Sequence, residues 1–389
     1  MRNPPLATRL RPFTSTIFAE MTALAVQTGS VNLGQGFPDT DGPAGMLEAA
    51  QKAIASGLNQ YPPGPGTLEL RRAIADQRRT AYRLEHNPET DVLVTVGATE
   101  AIAACLLALV EPGEEVLLVE PYYDSYAASV AMAGAVRRSV PLRPNPRTGH
   151  FELDVDGLRA AVTPRTRALL LNTPHNPTGT VFTDAELGAV AALAVEHDLL
   201  VITDEVYELL LFDGLAHRPL AGFPGMAERT LSISSAGKSF SATGWKIGWV
   251  CGPAELVAAV RAAKQFITFV GGAPFQPAVA YALTHELDWV AALRDSLQAK
   301  RDRLTDGLGD AGFEVYRSEG TYFVCADVRG LGFDDGIEFC RALPQRVGVV
   351  VVPVQVFTDD PAPWRHLVRF AFCKRDEVLD EAIARLRRL

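Results

Sequence analysis

Lys238 stands in SSAGKSFSATGWK, directly after the apolar run TLSISS, and shares a glycine-interrupted loop with Ser235 and Lys246. The chain has only six lysines, and Lys52, Lys264 and Lys300 fall in amphipathic helical patterns where a solvated face explains them. Lys238 does not. A lysine in a cleft loses its proton when desolvation and neighbouring cations depress its pKa, and the free amine then attacks an aldehyde. If that aldehyde sits on a pyridine ring that serves as an electron sink, the ring nitrogen must stay protonated, a task for a buried carboxylate. Asp204 in LLVITDEVY meets the demand at a strand end, although an Asp there could equally cap the following helix. Tyr207, three residues on, and Asn176 in NTPHNPTG could donate to a phenolic oxygen on the ring, although Asn before Pro is also common in plain turns.

A phosphate on the same ligand needs donors and positive charge. VTVGATE runs from strand through glycine into a helix, so the amides of Ala98 and Thr99 sit at a positive helix terminus. The Ser235 hydroxyl and the Lys246 ammonium add to it. An aromatic face is wanted over the ring, and PYYDSY offers Tyr122, Tyr123 and Tyr126, at a spacing that also suits core or rim positions. A carboxylate on the substrate calls for the planar fork of an arginine. Arg369 in HLVRFAFC lies in an apolar strand pattern, where its charge is costly unless a ligand or a structural salt bridge meets it. These needs together are those of pyridoxal 5'-phosphate acting on an amino acid, with no metal required.

In an open parallel sheet, ligands gather beyond the carboxyl ends of the strands, which is where these residues fall. From about 46 to 276, β-rich runs alternate with helical patterns: DVLVTVG, EVLLVEP, RALLLNT, LLVITDEVY, TLSISS and IGWVCGP. That alternation predicts an α/β domain with a mostly parallel sheet sandwiched by helices. An Ala/Leu/Arg-rich stretch at about 277–308 opens a smaller α+β domain, 277–389, holding FEVYRS, YFVCADV, VGVVVVPV, HLVRFAFC and a terminal helix. Residues 1–45, with Pro and Gly at intervals and little periodicity, predict an extended arm joining the smaller domain.

With 389 residues, 48% hydrophobic and 21% charged, the chain is long enough for two cores and has a globular balance. Its net charge of -9, without a basic block, excludes an electrostatic footprint for nucleic acid. Five cysteines without CxxC spacing, mostly in apolar runs, are expected to be reduced and buried. The opening MRNPPLATRLRPF lacks an apolar leader segment, and no apolar run approaches a membrane span, so a cytoplasmic protein without membrane association is expected.

NLGQGFPDTDGP, NQYPPGPG, VTVGATEA, EPYYDSY, NTPHNPTG, ITDEVY, SSAGKSFSATGWKIGW and VRFAFCK, in this order and spacing, resemble the class I aminotransferases of fold type I over essentially the full chain. The resemblance implies pyridoxal 5'-phosphate as cofactor, with Lys238 as Schiff-base lysine and proton shuttle. It also implies Asp204 at the pyridine nitrogen, Asn176 and Tyr207 at the phenolic oxygen, and Tyr123 stacked on the ring. Ala98, Thr99, Ser235 and Lys246 would hold the phosphate, with Tyr61 of NQYP reaching in from a second subunit of a homodimer. Arg369 would grip the substrate carboxylate, with Gly36 and Phe18 lining its pocket.

Within the class, the chain is most similar to the branch holding kynurenine, glutamine and methionine aminotransferases. FITFVGGAPFQPAVA points especially to actinobacterial N-succinyldiaminopimelate aminotransferases. The implied reaction is ping-pong transamination between an L-amino acid and a 2-oxo acid, 2-oxoglutarate first, in lysine biosynthesis. A β-lyase acting on cysteine conjugates is the alternative from the same chemistry. A cofactor-sensing transcription regulator is disfavoured, because no helix-turn-helix pattern precedes the arm.

Overall fold

Parallel strands covered on both faces must be apolar along their whole length, and the runs LVIT, ALLL and VLLV form such strands. The structure, a computed structural model, describes residues 5–14 and 16–389. The first four residues of the expected arm and of the opening stretch, together with Ser15, lie outside the described residues.

Seven strands make the main sheet: β1 (Val92–Thr95), β2 (Glu115–Glu120), β3 (Val136–Pro141), β4 (Thr166–Asn172), β5 (Leu200–Asp204), β6 (Thr230–Ser235) and β7 (Gly248–Cys251). Their order is β1-β7-β6-β5-β4-β2-β3, and only β7 runs antiparallel to its neighbours. The register sets Asn172 beside Asp204 and Ser235 beside Gly248, so the polar residues that end each apolar run share one edge. Helices cover both faces; Asp184–Glu196 begins with a capping box, in which Thr183 and Glu186 satisfy each other's backbone amides.

The second layer is antiparallel: β8 (Glu314–Val315), β9 (Phe323–Asp327), β10 (Val352–Pro353) and β11 (Leu367–Ala371), in the order β8-β9-β11-β10. Arg369, at the centre of β11, pairs with Cys325 and Val352. The Ala/Leu/Arg-rich stretch is two helices, Phe275–His285 and Leu287–Asp310. The first packs against Ala44–Ala55 and Leu68–Tyr82, and the second against the terminal helix Asp376–Leu386.

The arm is not extended throughout. Ile17–Thr28 is a helix, started by the Thr16 hydroxyl accepting from the Ala19 amide and stopped by Gly29 in the left-handed region. After it, Val31–Asn32 pairs in parallel with Val349–Val350. Lys264 also departs from the amphipathic pattern. It is 2% exposed, and its ammonium donates to the Phe269 carbonyl at 2.6 Å instead of facing water. All five cysteines are buried and unpaired. Among the described residues, no helix is long and apolar enough to cross a membrane.

A buried charge network underlies the strand end of β5. Arg78 Nη1 donates to Glu205 at 2.7 Å and to Glu208 at 3.0 Å, with His217 Nε2 3.2 Å from Glu205. Glu205 follows Asp204 directly, and Arg78 and His217 hold its carboxyl far below the ordinary range despite burial. Removing one partner strands an uncompensated charge. Arg78→Ala is therefore expected to lower the unfolding free energy by about 3–5 kcal/mol in urea titrations.

Candidate active site

The carboxyl edge of the main sheet, Phe18 and Gln35–Phe37 of the arm, and β9 and β11 of the second layer surround a cavity of about 350 Å³. Phe18, Gly36, Ala98, Thr99, Tyr123, Asn176, Asp204, Tyr207, Ser235, Lys238, Lys246 and Arg369 all line it. Tyr61 does not. It is 82% exposed on the surface, edge-on to Phe269 with ring centroids 5.5 Å apart.

Lys238 follows β6 on the four-residue helix Ala236–Ser239. Its Nζ donates to Tyr322 Oη at 3.0 Å, and that hydroxyl donates to the Gly36 carbonyl at 2.7 Å. The amine also lies 5.8 Å from the Tyr207 ring centre and 5.6 Å from that of Tyr322. Desolvation brings its pKa down to about 8, against the pull of the Cys373 and Asp204 charges. Near neutral pH an appreciable fraction of the amine is thus unprotonated and nucleophilic.

Asp204 ends β5, 4% exposed. Burial raises its carboxyl to about 6, while the Tyr126 hydroxyl, donating to Oδ2 at 2.6 Å, and the Val206 amide, donating to Oδ1 at 3.3 Å, hold the shift back. Asn172 braces this end from β4: its Nδ2 donates to the Asp204 carbonyl at 2.8 Å, and its Oδ1 accepts from the Asn176 amide at 2.6 Å. Tyr207 is buried, which raises its phenol well above the ordinary value, so it stays a hydroxyl donor.

The helix Gly97–Leu109 opens on the cavity, and no side chain caps its first turn. Gly97 has φ +75°, a conformation that favours glycine, and a Cβ there would lie 3.0 Å from Lys246 Nζ. A Cβ on Gly248 would lie 2.7 Å from the Gly97 carbonyl carbon. Both glycines are needed to bring β7, the helix start and the lysine this close. Free amides, the helix dipole and an ammonium form an anion cradle there.

Arg369 is 2% exposed and forms no ion pair among the described residues. Its Nη1 donates to Asn176 Oδ1 at 3.0 Å and its Nη2 to the Gly34 carbonyl at 3.0 Å, while Nε has no partner. Rings surround it: the guanidinium carbon is 3.9 Å from the Phe323 ring centre, 5.4 Å from Phe18 and 5.5 Å from Phe357. Desolvation lowers its pKa. A buried guanidinium with no carboxylate partner is arranged to receive one from a ligand.

Tyr322, Asn172 and Phe323 are not among the residues expected from the sequence, and Tyr126, one of three tyrosines offered for the ring face, instead holds Asp204 by its hydroxyl. Asn172, the first residue of NTPHNPTG, was open to the same strand-end argument as Asn176. Tyr322 and Phe323 carry no local signal, since Phe323 reaches the cavity and Tyr322 reaches Lys238 only because the start of β9 lies against the main sheet.

Residues 28–386 match the family model "Aminotransferase class I and II". The probable N-succinyldiaminopimelate aminotransferase of Mycobacterium tuberculosis is 65% identical over 386 residues, covering 97% of each chain. The methionine aminotransferase of Escherichia coli is 39% identical over 391 residues, covering 100% of both. The solved structure of N-succinyldiaminopimelate aminotransferase from Mycobacterium tuberculosis superposes with a TM-score of 0.96 over 98% of this chain and 99% of that one.

Proposed function

Because the chain belongs to the class I and II aminotransferases, we propose that it uses pyridoxal 5'-phosphate, carried by Lys238, to exchange an amino group between an L-amino acid and a 2-oxo acid. The observation that carries this reading is an amine whose pKa burial lowers, a buried carboxylate and a buried guanidinium with a free Nε, all lining one cavity.

The residues fit the cofactor. The uncapped amides of Ala98 and Thr99, with Ser235 and Lys246, would hold its phosphate, and the glycine-lined cradle leaves room for it. Asp204 would keep a proton at the pyridine nitrogen, and Tyr207 and Asn176 would donate to the phenolic oxygen. Tyr123 would lie on the ring. When bound, pyridoxal 5'-phosphate supplies an aldehyde carbon and an electron sink for the substrate's α-carbon.

The chain's own part is to bind, orient and move protons. Arg369, fixed by Asn176 and Gly34, fastens the α-carboxylate, so the α-proton faces Lys238. Lys238 Nζ, held by Tyr322 Oη, takes that proton and returns it as general base and acid. Phe18, Phe323 and Phe357 keep water from the arginine, which strengthens its bond to carboxylate.

Similarity to the mycobacterial enzyme favours N-succinyl-LL-diaminopimelate as amino donor, and hence a place in lysine biosynthesis, and 2-oxoglutarate is the acceptor we assign to it. The full-length similarity to a methionine aminotransferase favours methionine as the second reading. We further take the protein to be a cytoplasmic homodimer, with the exposed Tyr61 serving a second copy's phosphate site. A half-reaction screen tests the donor: N-succinyl-LL-diaminopimelate, methionine, glutamine and kynurenine are each mixed with the cofactor-loaded enzyme. The succinylated donor is expected to convert it to the pyridoxamine form fastest, and faster conversion by methionine would replace the first reading with the second.

Arg369→Lys keeps the charge and loses the fork. It is expected to raise the donor KM about 10–100-fold, the scale of one or two charge-assisted hydrogen bonds, in steady-state assays. Cofactor loading of the stripped enzyme should also depend on pH. Since the reactive form of Lys238 is the neutral amine, the loading rate is expected to rise about tenfold per pH unit below about 8 and level off above it. Stopped-flow absorbance follows this directly.

A further inference from the structure

Resting on the reading of Arg369 as carboxylate anchor, we propose that Asp359 is a positioning residue for that anchor, clasping the Phe357 loop of the second layer to the strand end that presents Tyr123. Asp359 sits two residues after the short helix Val354–Phe357, on the way to β11, and its carboxylate gathers groups from the edge of the main sheet. Tyr122 Oη donates to Oδ1 at 2.8 Å, Arg137 Nε to Oδ1 at 2.7 Å and to Oδ2 at 2.9 Å, and Ser139 Oγ to Oδ2 at 3.1 Å. Two backbone amides complete the clasp. The Asp359 amide donates to Glu120 Oε1 at 2.6 Å, and the Tyr122 amide donates to the Phe357 carbonyl at 2.8 Å.

Every partner comes from β2, β3 or the turn after β2, whereas Phe357 and Asp359 belong to the second layer. The clasp therefore fixes two things at once. On one side, Phe357 is buried against Phe18, with ring centroids 5.7 Å apart, and lies 5.5 Å from the Arg369 guanidinium. On the other side, the residue following Tyr122 is Tyr123, which lines the cavity. Loosening the carboxylate lets the loop lift, admits water to Arg369 and weakens its hold on the substrate. The proton-moving groups at Lys238 and Asp204 make no contact with the clasp, so binding should suffer and chemistry should not.

The test uses the cofactor-loaded enzyme and its fastest donor from the four-compound screen. Asp359→Ala is expected to raise the donor KM about tenfold, with little change in kcat, the scale of one charge-assisted hydrogen bond. Tyr122→Phe, which removes one oxygen and keeps the packing, is expected to shift KM in the same direction. The double variant should be no worse than Asp359→Ala alone, because both act through one clasp. Unchanged KM in both variants, loss confined to the thermal midpoint, or strictly additive effects would overturn the proposal. If Asp359→Ala does not fold, Tyr122→Phe decides it alone. Arg369→Lys run alongside separates the two ideas: if it moves KM and the clasp variants do not, only the clasp fails, and if it does not move KM, the anchor reading itself fails.

Discussion

An Asp204→Asn protein is expected to turn over about 10²–10³-fold more slowly than its parent, the cost of removing one preorganised charge from a buried site. The amide matches the carboxylate in shape and can still accept from the Tyr126 hydroxyl, but it cannot carry the negative charge that, in the proposed reaction, would keep a pyridine nitrogen protonated. The stability should move the other way. Burial raises the folded-state carboxyl from 3.8 to about 6. A carboxyl raised on folding favours the folded state most when protonated, so its contribution is present at low pH and is lost as pH rises from the ordinary carboxylate range through about 6. Above that range the ionised Asp204 costs the cofactor-free protein roughly 3 kcal/mol. Asp204→Asn removes this cost. Its unfolding midpoint in urea at pH 8, without cofactor, should equal or exceed that of the parent. A variant that unfolds early and loses activity in proportion would assign Asp204 a packing role only.

The second large effect is expected at Lys238. In the reaction proposed above, removing the amine by Lys238→Ala deletes both the group that would carry the cofactor and the base that would move the α-proton. The base alone accounts for about 10²–10⁴-fold in rate. The cavity should survive, because Tyr322 keeps its bond to the Gly36 carbonyl and its packing against Tyr207. Small primary amines added to the assay should restore part of the proton transfer, with larger recovery at higher pH, where more of the amine is neutral. Full activity without added amine would remove Lys238 from the reaction.

Much of this arrangement is legible in the sequence because a parallel sheet converts linear order into a shared edge. Asp204, Asn176 and Lys238 are distant in the chain, yet each follows an apolar run, and the register of β4, β5 and β6 brings those run ends together. Arg369 is legible for a different reason: a charge in the middle of an apolar strand has to meet something. The groups that tune these residues are harder to read. Tyr322 holds the amine of a residue 84 positions away, and the contact depends on how β9 lies against the main sheet. The clasp at Asp359 depends on a loop meeting a strand end 237 positions earlier. Lys264 fits a helical face in one dimension, and only the folded loop shows that its ammonium is spent on the Phe269 carbonyl. The helix Ile17–Thr28 has its start and stop residues, Thr16 and Gly29, written in the sequence, but the prolines and glycines on either side obscure them.

The proposed reaction depends on a covalent bond between one amine and the cofactor, and such a bond can be trapped. Reduction of the cofactor-loaded enzyme with borohydride, followed by peptide mass mapping, is expected to find a single pyridoxyl group on the peptide containing Lys238. A pyridoxyl group on any of the other five lysines, or none at all on an active enzyme, would contradict it.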